Sequence, residues 1–287
     1  SARAAVPDVL KVDAMGEPTP LGLSMYRPLG AGPHTLGLKV YQRGAKVVLS
    51  DSLPMLENMG ARVHGEDNFR ITAPGTHDDA QGFISLHDFK LEAVSAEGIE
   101  PEALSRLFEN AFAKVFRGEV ESDEFNRLVL RVGLSADEVV VLRAYSKYLR
   151  QIGFALSQSM IKATLVAHPH IARMLVKLFK LRFDPAAHDD AAAAEQVLAI
   201  EQALDKVSNL SEDRVLRQFL ALIQATLRTN HWRTGVGHSG AAGERRSFLS
   251  FKFDSAKVPG LPSPRPLVEI FVYSPRFEGI HLRGGKV

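Results

Sequence analysis

An α+β chain is predicted from three observations. Alternating apolar strands fill most of the first hundred residues, helical spacing with short connections fills residues 100–230, and alternation returns from Ser247 onward. The chain has 287 residues, of which 45% are hydrophobic and 24% charged, values ordinary for a globular protein and inconsistent with wholesale disorder. That length suits about two domains.

In the first segment, Leu21-Gly-Leu-Ser-Met-Tyr alternates and stops before Pro28. Leu36, Leu38 and Val40 share one face of a second strand, and Arg43-Gly44 turns the chain. Ser50 is placed to cap a helix through Met59, with Pro54 in its first turn and Gly60 just past its end. Arg62-Val-His and Phe69-Arg-Ile-Thr read as one strand or a bent pair. Ala73 to Gly82 is a polar loop. Phe83, Ser85, His87, Phe89 and Leu91 then share one side of a strictly alternating strand.

The period changes at Glu100-Pro101-Glu102, which opens a helix through about Phe116 with Leu104, Leu107, Phe108, Ala111, Phe112 and Val115 on its stripe. Ser135-Ala-Asp-Glu138 is a capping box before Val139 to Ile152. Ser157 and Pro169 start two more helices, and Asp189-Asp190 opens an Ala-rich one. Ser211-Glu-Asp begins a helix read as running to about Thr229. The last segment holds strands at Ser247–Phe253, Leu267–Tyr273 and Gly279 onward, with a Pro-rich connection between the first two.

Composition removes several kinds of chemistry. With no cysteine, the chain has no disulfide, no thiol nucleophile and no Cys-ligated metal or cluster. No apolar run approaches the ~18–20 residues of a membrane helix, and the start lacks the apolar core of a signal peptide. The absent initiator Met and the end after Gly-Gly-Lys read as a trimmed start and a cut strand. The formal charge of +2 conceals an asymmetry: Arg214 to Val287 holds twelve Lys/Arg against four Asp/Glu, net +8, which leaves −6 on the rest. A basic final quarter suits nucleic acid, an anionic substrate or a missing acidic surface.

Gly235-Val-Gly237-His-Ser-Gly240 matches a dinucleotide pattern, but a helix precedes it and a strand follows, so it reads as a loop. The pairs His168-Pro-His170, His188-Asp-Asp190 and His77-Asp-Asp79 lack a third ligand at metal spacing, and no metal site is expected. Phe248, Phe251 and Phe253 sit at the spacing of a core strand rather than a base-stacking platform, so nucleic acid is not expected as a partner. Two basic, glycine-bearing turns remain. Arg43-Gly44, with Ser50 and Asp51 at the following helix start, is a candidate receptor for an amino-acid effector. Arg283-Gly284-Gly285-Lys286 pairs close backbone approach with cations suited to a dicarboxylate or phosphate.

Longer blocks carry a resemblance. Leu267-Val-Glu-Ile-Phe-Val-Tyr-Ser-Pro-Arg-Phe-Glu-Gly-Ile-His-Leu-Arg-Gly-Gly-Lys-Val resembles the start of the catalytic region of the large bacterial NAD-specific glutamate dehydrogenases. Leu49-Ser-Asp-Ser-Leu-Pro-Met-Leu-Glu-Asn-Met-Gly, Leu142-Arg-Ala-Tyr-Ser-Lys-Tyr-Leu-Arg-Gln, Leu227-Arg-Thr-Asn-His-Trp and Ser250-Phe-Lys-Phe-Asp are similar too, in order, from about Leu21 to Val287. The resemblance implies an ACT-like (ferredoxin-like) antiparallel module, a helical segment and a partial β-rich start of the catalytic domain. It divides the chain into a linker at 1–20, the ACT-like module at 21–120, the helical segment at 121–232 and the first catalytic strands at 233–287.

An ACT module runs βαββαβ, and no strand follows the helix ending near Phe116, so Leu21 to Tyr26 is expected to supply the fourth strand from the front. The parent enzyme implied is cytoplasmic and homo-oligomeric. It uses NAD to deaminate L-glutamate to 2-oxoglutarate and ammonia. The catalytic lysine and the dinucleotide domain lie beyond this chain, so no catalytic residue is expected here and the chain should be inactive, a regulatory and scaffolding piece with Arg283, Gly284, Gly285 and Lys286 near substrate. The alternative is a stand-alone amino-acid-binding module.

Overall fold

The computed structural model describes residues 2–16, 20–32, 34–72, 82–93, 101–236 and 242–284. The chain divides into two compact units, residues 1–117 with 129–136, and residues 118–128 with 137–287.

The first unit runs α1 (Ala2–Asp13), β1 (Leu21–Tyr26), β2 (Thr35–Arg43), α2 (Leu49–Asn58), β3 (Ala61–Thr72), β4 (Phe83–Ala93) and α3 (Pro101–Phe116). Its four strands form one sheet in the order β1-β2-β4-β3, with every neighbouring pair antiparallel. The leading strand β1 therefore lies beside β2 at the sheet edge, where a βαββαβ module has its last strand. β3 is a single strand bent by an irregularity at His64, between the pairs Val63↔Leu91 and Gly65↔Lys90.

Both sheet faces are covered. Residues paired across strands share a face. Leu38, Val40 and Phe89 lie on one face and are fully buried. α2 and α3, which touch β3 and β1, bury Leu56, Phe108 and Phe112. His87 belongs to this face. Its ring nitrogens reach Glu66 Oε1 at 2.5 Å and Ser85 Oγ at 2.9 Å, so a buried imidazole is satisfied on both sides.

The other face is taken by α1, where the leading segment was expected to be a linker. Met15 packs against Tyr41, Ile84 and Leu86, with Val12 and Ile71 alongside. Asp8 accepts from Lys39 Nζ at 2.6 Å and from Tyr41 Oη at 2.6 Å. Burial, then the Asp8 hydrogen bond, hold the Tyr41 phenol above its ordinary value. Spacing inside a short segment does not show that one carboxylate will meet two partners on a sheet not yet assembled, which is why the docking of this helix is not read from sequence. On the same face Tyr26 lies across Gly37, where an added Cβ would come within 2.3 Å of the ring, and its hydroxyl donates to Asp88 Oδ1 at 2.8 Å.

The helix start also differs from expectation. α2 begins at Leu49 with Val48 as its cap residue and no side-chain cap, so Ser50 is inside the helix. Ser52 Oγ instead donates to the Val48 carbonyl at 3.1 Å. Pro54 sits in the helix interior and cannot donate to the Ser50 carbonyl. Gly60 has φ 84°, the left-handed turn expected past the helix end.

The second unit includes a 3-10 turn at Glu124–Asn126. α4 (Arg127–Val132) and α5 (Ala136–Gln151) follow in the chain, then α6 (Gln158–Ala167), α7 (Pro169–Phe183), α8 (Asp190–Leu204) and α9 (Leu210–Ala225). The caps predicted at Ser157 and Asp189 and the proline start at Pro169 are present. Ser157 accepts from Met160 N, Asp189 accepts from Ala192 N, and Pro169 opens α7. Asn209, rather than Ser211, caps α9.

The strands are β5 (Thr226–Thr229), β6 (Thr234–Val236), β7 (Ala242–Arg245), β8 (Leu249–Asp254), β9 (Val268–Tyr273) and β10 (Glu278–Arg283). The helix expected to reach Thr229 ends at Ala225, and the next four residues are β5. Thr226 Oγ1 folds back to the Leu222 carbonyl at 2.8 Å, and β5 pairs with β8. The helical period of Val215, Phe219 and Leu222 does not announce this change, because the partner strand lies twenty residues on. The main sheet has the order β10-β9-β8-β5, and β6 and β7 form a separate hairpin.

α5 packs on one face of that sheet. Tyr145 stacks on Phe251 at 4.3 Å and Tyr148 on Phe253 at 4.2 Å between ring centres. Each hydroxyl is satisfied: Tyr145 with Thr226 Oγ1 at 2.8 Å, and Tyr148 donating to Glu269 Oε2 at 2.5 Å. Arg143, on the same helix and fully buried, donates to Asp123 Oδ1 at 2.8 Å and Asn126 Oδ1 at 2.6 Å.

Two outcomes are expected. Asp8→Ala orphans Lys39 and the buried Tyr41 hydroxyl and should cost about 1–3 kcal/mol, read as a lower denaturant midpoint. Arg143→Ala leaves Asp123 poorly solvated without its partner and should cost about 3–5 kcal/mol in the same measurement.

Candidate functional site

Of the first candidate set, Arg43 ends β2 and Gly44 follows it, while Ser50 and Asp51 lie in the first turn of α2 and are exposed. The Arg43 side chain reaches back to the segment just after α1, where Nη2 donates to the Met15 carbonyl at 3.0 Å. Its Nε is buried with no hydrogen-bond partner. Gly44 has φ 68° and donates its N–H to the Phe83 carbonyl at 2.9 Å, so that amide is already committed. Arg43 pairs with Ile84 on the α1 face of the sheet, whereas α2 helps cover the other face. The structure thus gives no convergence of the Arg43 guanidinium with Ser50 and Asp51.

In the second candidate set, Arg283 ends β10, and Arg283 and Gly284 are exposed, with open space where a Gly284 side chain would be. Gly285 and Lys286 lie outside the described residues. Register places more cations nearby. β5, β8, β9 and β10 bring Arg228, Lys252, Ile270 and His281 into one row. The next row in register is Asp254, Val268 and Arg283. Both rows face away from the α5 tyrosines, because Phe251, Phe253 and Phe271 take the alternate positions. Arg228, Lys252 and Arg283 of the basic final quarter therefore project from one sheet face around an apolar strip of Val268, Ile270 and Val272.

The dinucleotide pattern is not followed by a helix. Gly235 and Val236 belong to β6 and the next described element is β7; Gly237 to Gly240 lie outside the described residues. His168 Nε2 is 2.8 Å from Glu212 Oε2, and His188 Nδ1 is bonded to the Arg182 carbonyl. Among the described residues, no three His, Asp or Glu side chains are placed to hold a metal ion, and no helix is long and apolar enough to cross a membrane. His77-Asp-Asp79 lies outside those residues.

Three family models match consecutive stretches in order. Residues 20–104 match the glutamate dehydrogenase ACT3 domain, 120–185 the glutamate dehydrogenase helical motif 3, and 199–287 the bacterial NAD-glutamate dehydrogenase catalytic domain. The chain belongs to the bacterial NAD-specific glutamate dehydrogenase family. It is 43% identical, over its full length, to the NAD-specific glutamate dehydrogenase of Halomonas elongata and 42% identical, over 99% of its length, to that of Pseudomonas aeruginosa. It is 41% identical to that of Mycobacterium tuberculosis over 85% of its length. The chain spans 17% of the first two relatives and 15% of the third. The catalytic-domain match begins within α8 and so takes in α9 and β5, in keeping with the joining of β5 to the same sheet as β8, β9 and β10.

Sequence reasoning singled out Arg283 but not Arg228, Lys252 or His281. Alternation in Ser247–Phe253 already turns Lys252 away from the phenylalanines. The row itself needs the β5–β8 and β9–β10 registers, which no local pattern contains.

Proposed function

We propose that this chain is a regulatory and scaffolding segment of an NAD-dependent glutamate dehydrogenase, whose whole protein deaminates L-glutamate oxidatively to 2-oxoglutarate and ammonia in the cytoplasm as a homo-oligomer. The observation that carries the reading is the ordered match of an ACT domain, a helical motif and the start of a catalytic domain, on a chain whose first sheet has the β1-β2-β4-β3 order. The proposed modules are residues 21–120, 121–232 and 233–287. In this reading Arg283, Gly284, Gly285 and Lys286 border the substrate, and the cationic sheet face draws the dicarboxylate toward it. Hydride transfer needs the nicotinamide and substrate held together. A pattern laid over a hairpin does not supply that, so the chain alone is inactive. Purified chain given glutamate and NAD is expected to form no NADH by absorbance; NADH accumulating in proportion to protein overturns the reading.

A second component is an amino-acid effector in the first unit near the Arg43-Gly44 turn, with Ser50 and Asp51 at the exposed start of α2 as a separate contact region not shared with the Arg43 guanidinium. The buried, unpartnered Arg43 Nε favours it, since a ligand carboxylate would satisfy that donor. A ligand bound only by the native state raises the melting temperature. A thermal-shift screen of the common amino acids is expected to find at least one that stabilises the chain and loses its effect in Arg43→Ala; no response to any of them defeats this component.

A further inference from the structure

A cavity of about 400 Å³ lies in the second unit, outside both candidate sets. It is framed by the end of α7, the loop after it and the edge strand β5. Arg182, His188, Arg228 and Thr229 supply its polar wall, and Phe183 and Leu227 much of its apolar one. We propose that this cavity binds a small organic anion through a carboxylate or phosphate held by Arg182 and Arg228, with its apolar part against Phe183 and Leu227.

Four observations support the assignment. First, Arg182 is half-buried, and among the described residues no carboxylate lies within salt-bridge distance of it, Asp190 acting on it only from farther off. Nη1 donates to the Ile223 carbonyl at 2.9 Å and Nη2 to the Thr226 carbonyl at 3.4 Å, which fixes the guanidinium at the end of α9. A guanidinium carries five N–H donors, so the edge facing the cavity keeps donors to spare. Burial lowers its pKa, and the nearby Tyr145 and Asp190 offset that only in part.

Second, Arg228 stands directly across from Lys252 in the β5–β8 register. Like charges opposite each other on a sheet repel. Neither side chain is hydrogen-bonded or ion-paired to another described residue. A bound anion would relieve that repulsion.

Third, β5 carries a register shift between Thr226 and Arg228. The irregularity takes Leu227 out of the pairing, and Leu227 and Arg228 both line the cavity. Such bulges re-aim side chains at strand ends and beside binding sites.

Fourth, the loop forming the opposite wall is built rather than slack. His188 Nδ1 donates to the Arg182 carbonyl at 3.1 Å, Asp189 N donates to the Leu181 carbonyl at 2.9 Å, and Ala186 N donates to Asp184 Oδ1 at 3.0 Å. That last bond engages the one carboxylate on the cavity wall, while the cations keep unused donors.

The chain's single tryptophan reports on the site. Trp232 stacks on Phe179 at 5.4 Å, and Phe179 touches Phe183 at 5.2 Å, so the cavity wall lies two rings from the fluorophore. Sodium phosphate and sodium succinate are titrated separately into the 287-residue chain at constant ionic strength, with Trp232 emission and the melting temperature as readouts. Saturable binding of at least one is expected. Phosphate alone identifies a phosphate-bearing ligand, and succinate alone a carboxylate. Arg228→Gln, at an exposed position, should weaken binding by at least about tenfold with a ligand-free melting temperature that does not fall, since the repulsion with Lys252 is removed. Arg276→Gln, exposed and not on the cavity wall, should leave binding unchanged. Absence of saturable binding for both anions, or equal effects of Arg228→Gln and Arg276→Gln, overturns the proposal.

Discussion

A full positive charge with no exposure to solvent sets the terms for the second unit. Arg143 cannot shed its proton, so its removal from water must be offset on the spot. Asp123 and Asn126 do this, and they can do so only if the 3-10 turn folds back against α5. The same helix then carries Tyr145 and Tyr148 in beneath the sheet. Each brings a hydroxyl that must find a partner, and each partner lies on a different piece of chain: Thr226 at the start of β5 and Glu269 in β9. A third tie runs the other way, with Tyr273 donating to Glu121 while Lys147 holds the second oxygen of that carboxylate. Polar necessity and aromatic stacking thus act on one helix together.

The elements themselves were largely legible. Strand alternation, Pro169 at a first helical position and the Ser157 and Asp189 caps are local signals, and local signals survive without tertiary information. What could not be read was wherever a distant partner decides the outcome. Thr226 to Thr229 continue an amphipathic helix on the page but become a strand because β8 waits to pair with them. Ala2 to Asp13 looks like a tether until Tyr41 and Lys39 present two donors to Asp8. Ser50 has the chemistry of a cap, yet the helix starts one residue earlier, so the hydroxyl arrives inside the first turn.

The sites follow the same division. Arg283 was visible because glycines flag it. The row through Arg228, Lys252 and His281 was hidden, because charge on a sheet face is a property of register rather than of any one strand. Arg43 shows the converse: its position at a strand–helix turn was read correctly, but the direction of its side chain was set by the Met15 carbonyl just after α1. A guanidinium can reach either way from a turn, and composition does not say which.

The position of β1 has a kinetic side. In a module whose closing strand comes last, the sheet edge must wait until the whole unit has been made and its ends meet. Here that edge is the outer arm of a hairpin with β2, in which Tyr26 faces Gly37 near the turn. Pairing of neighbouring segments costs little loop-closure entropy, and topologies rich in such contacts fold faster. The edge can therefore form while α3 is still unmade, and the ring of Tyr26 can settle over Gly37 before any helix arrives on the opposite face.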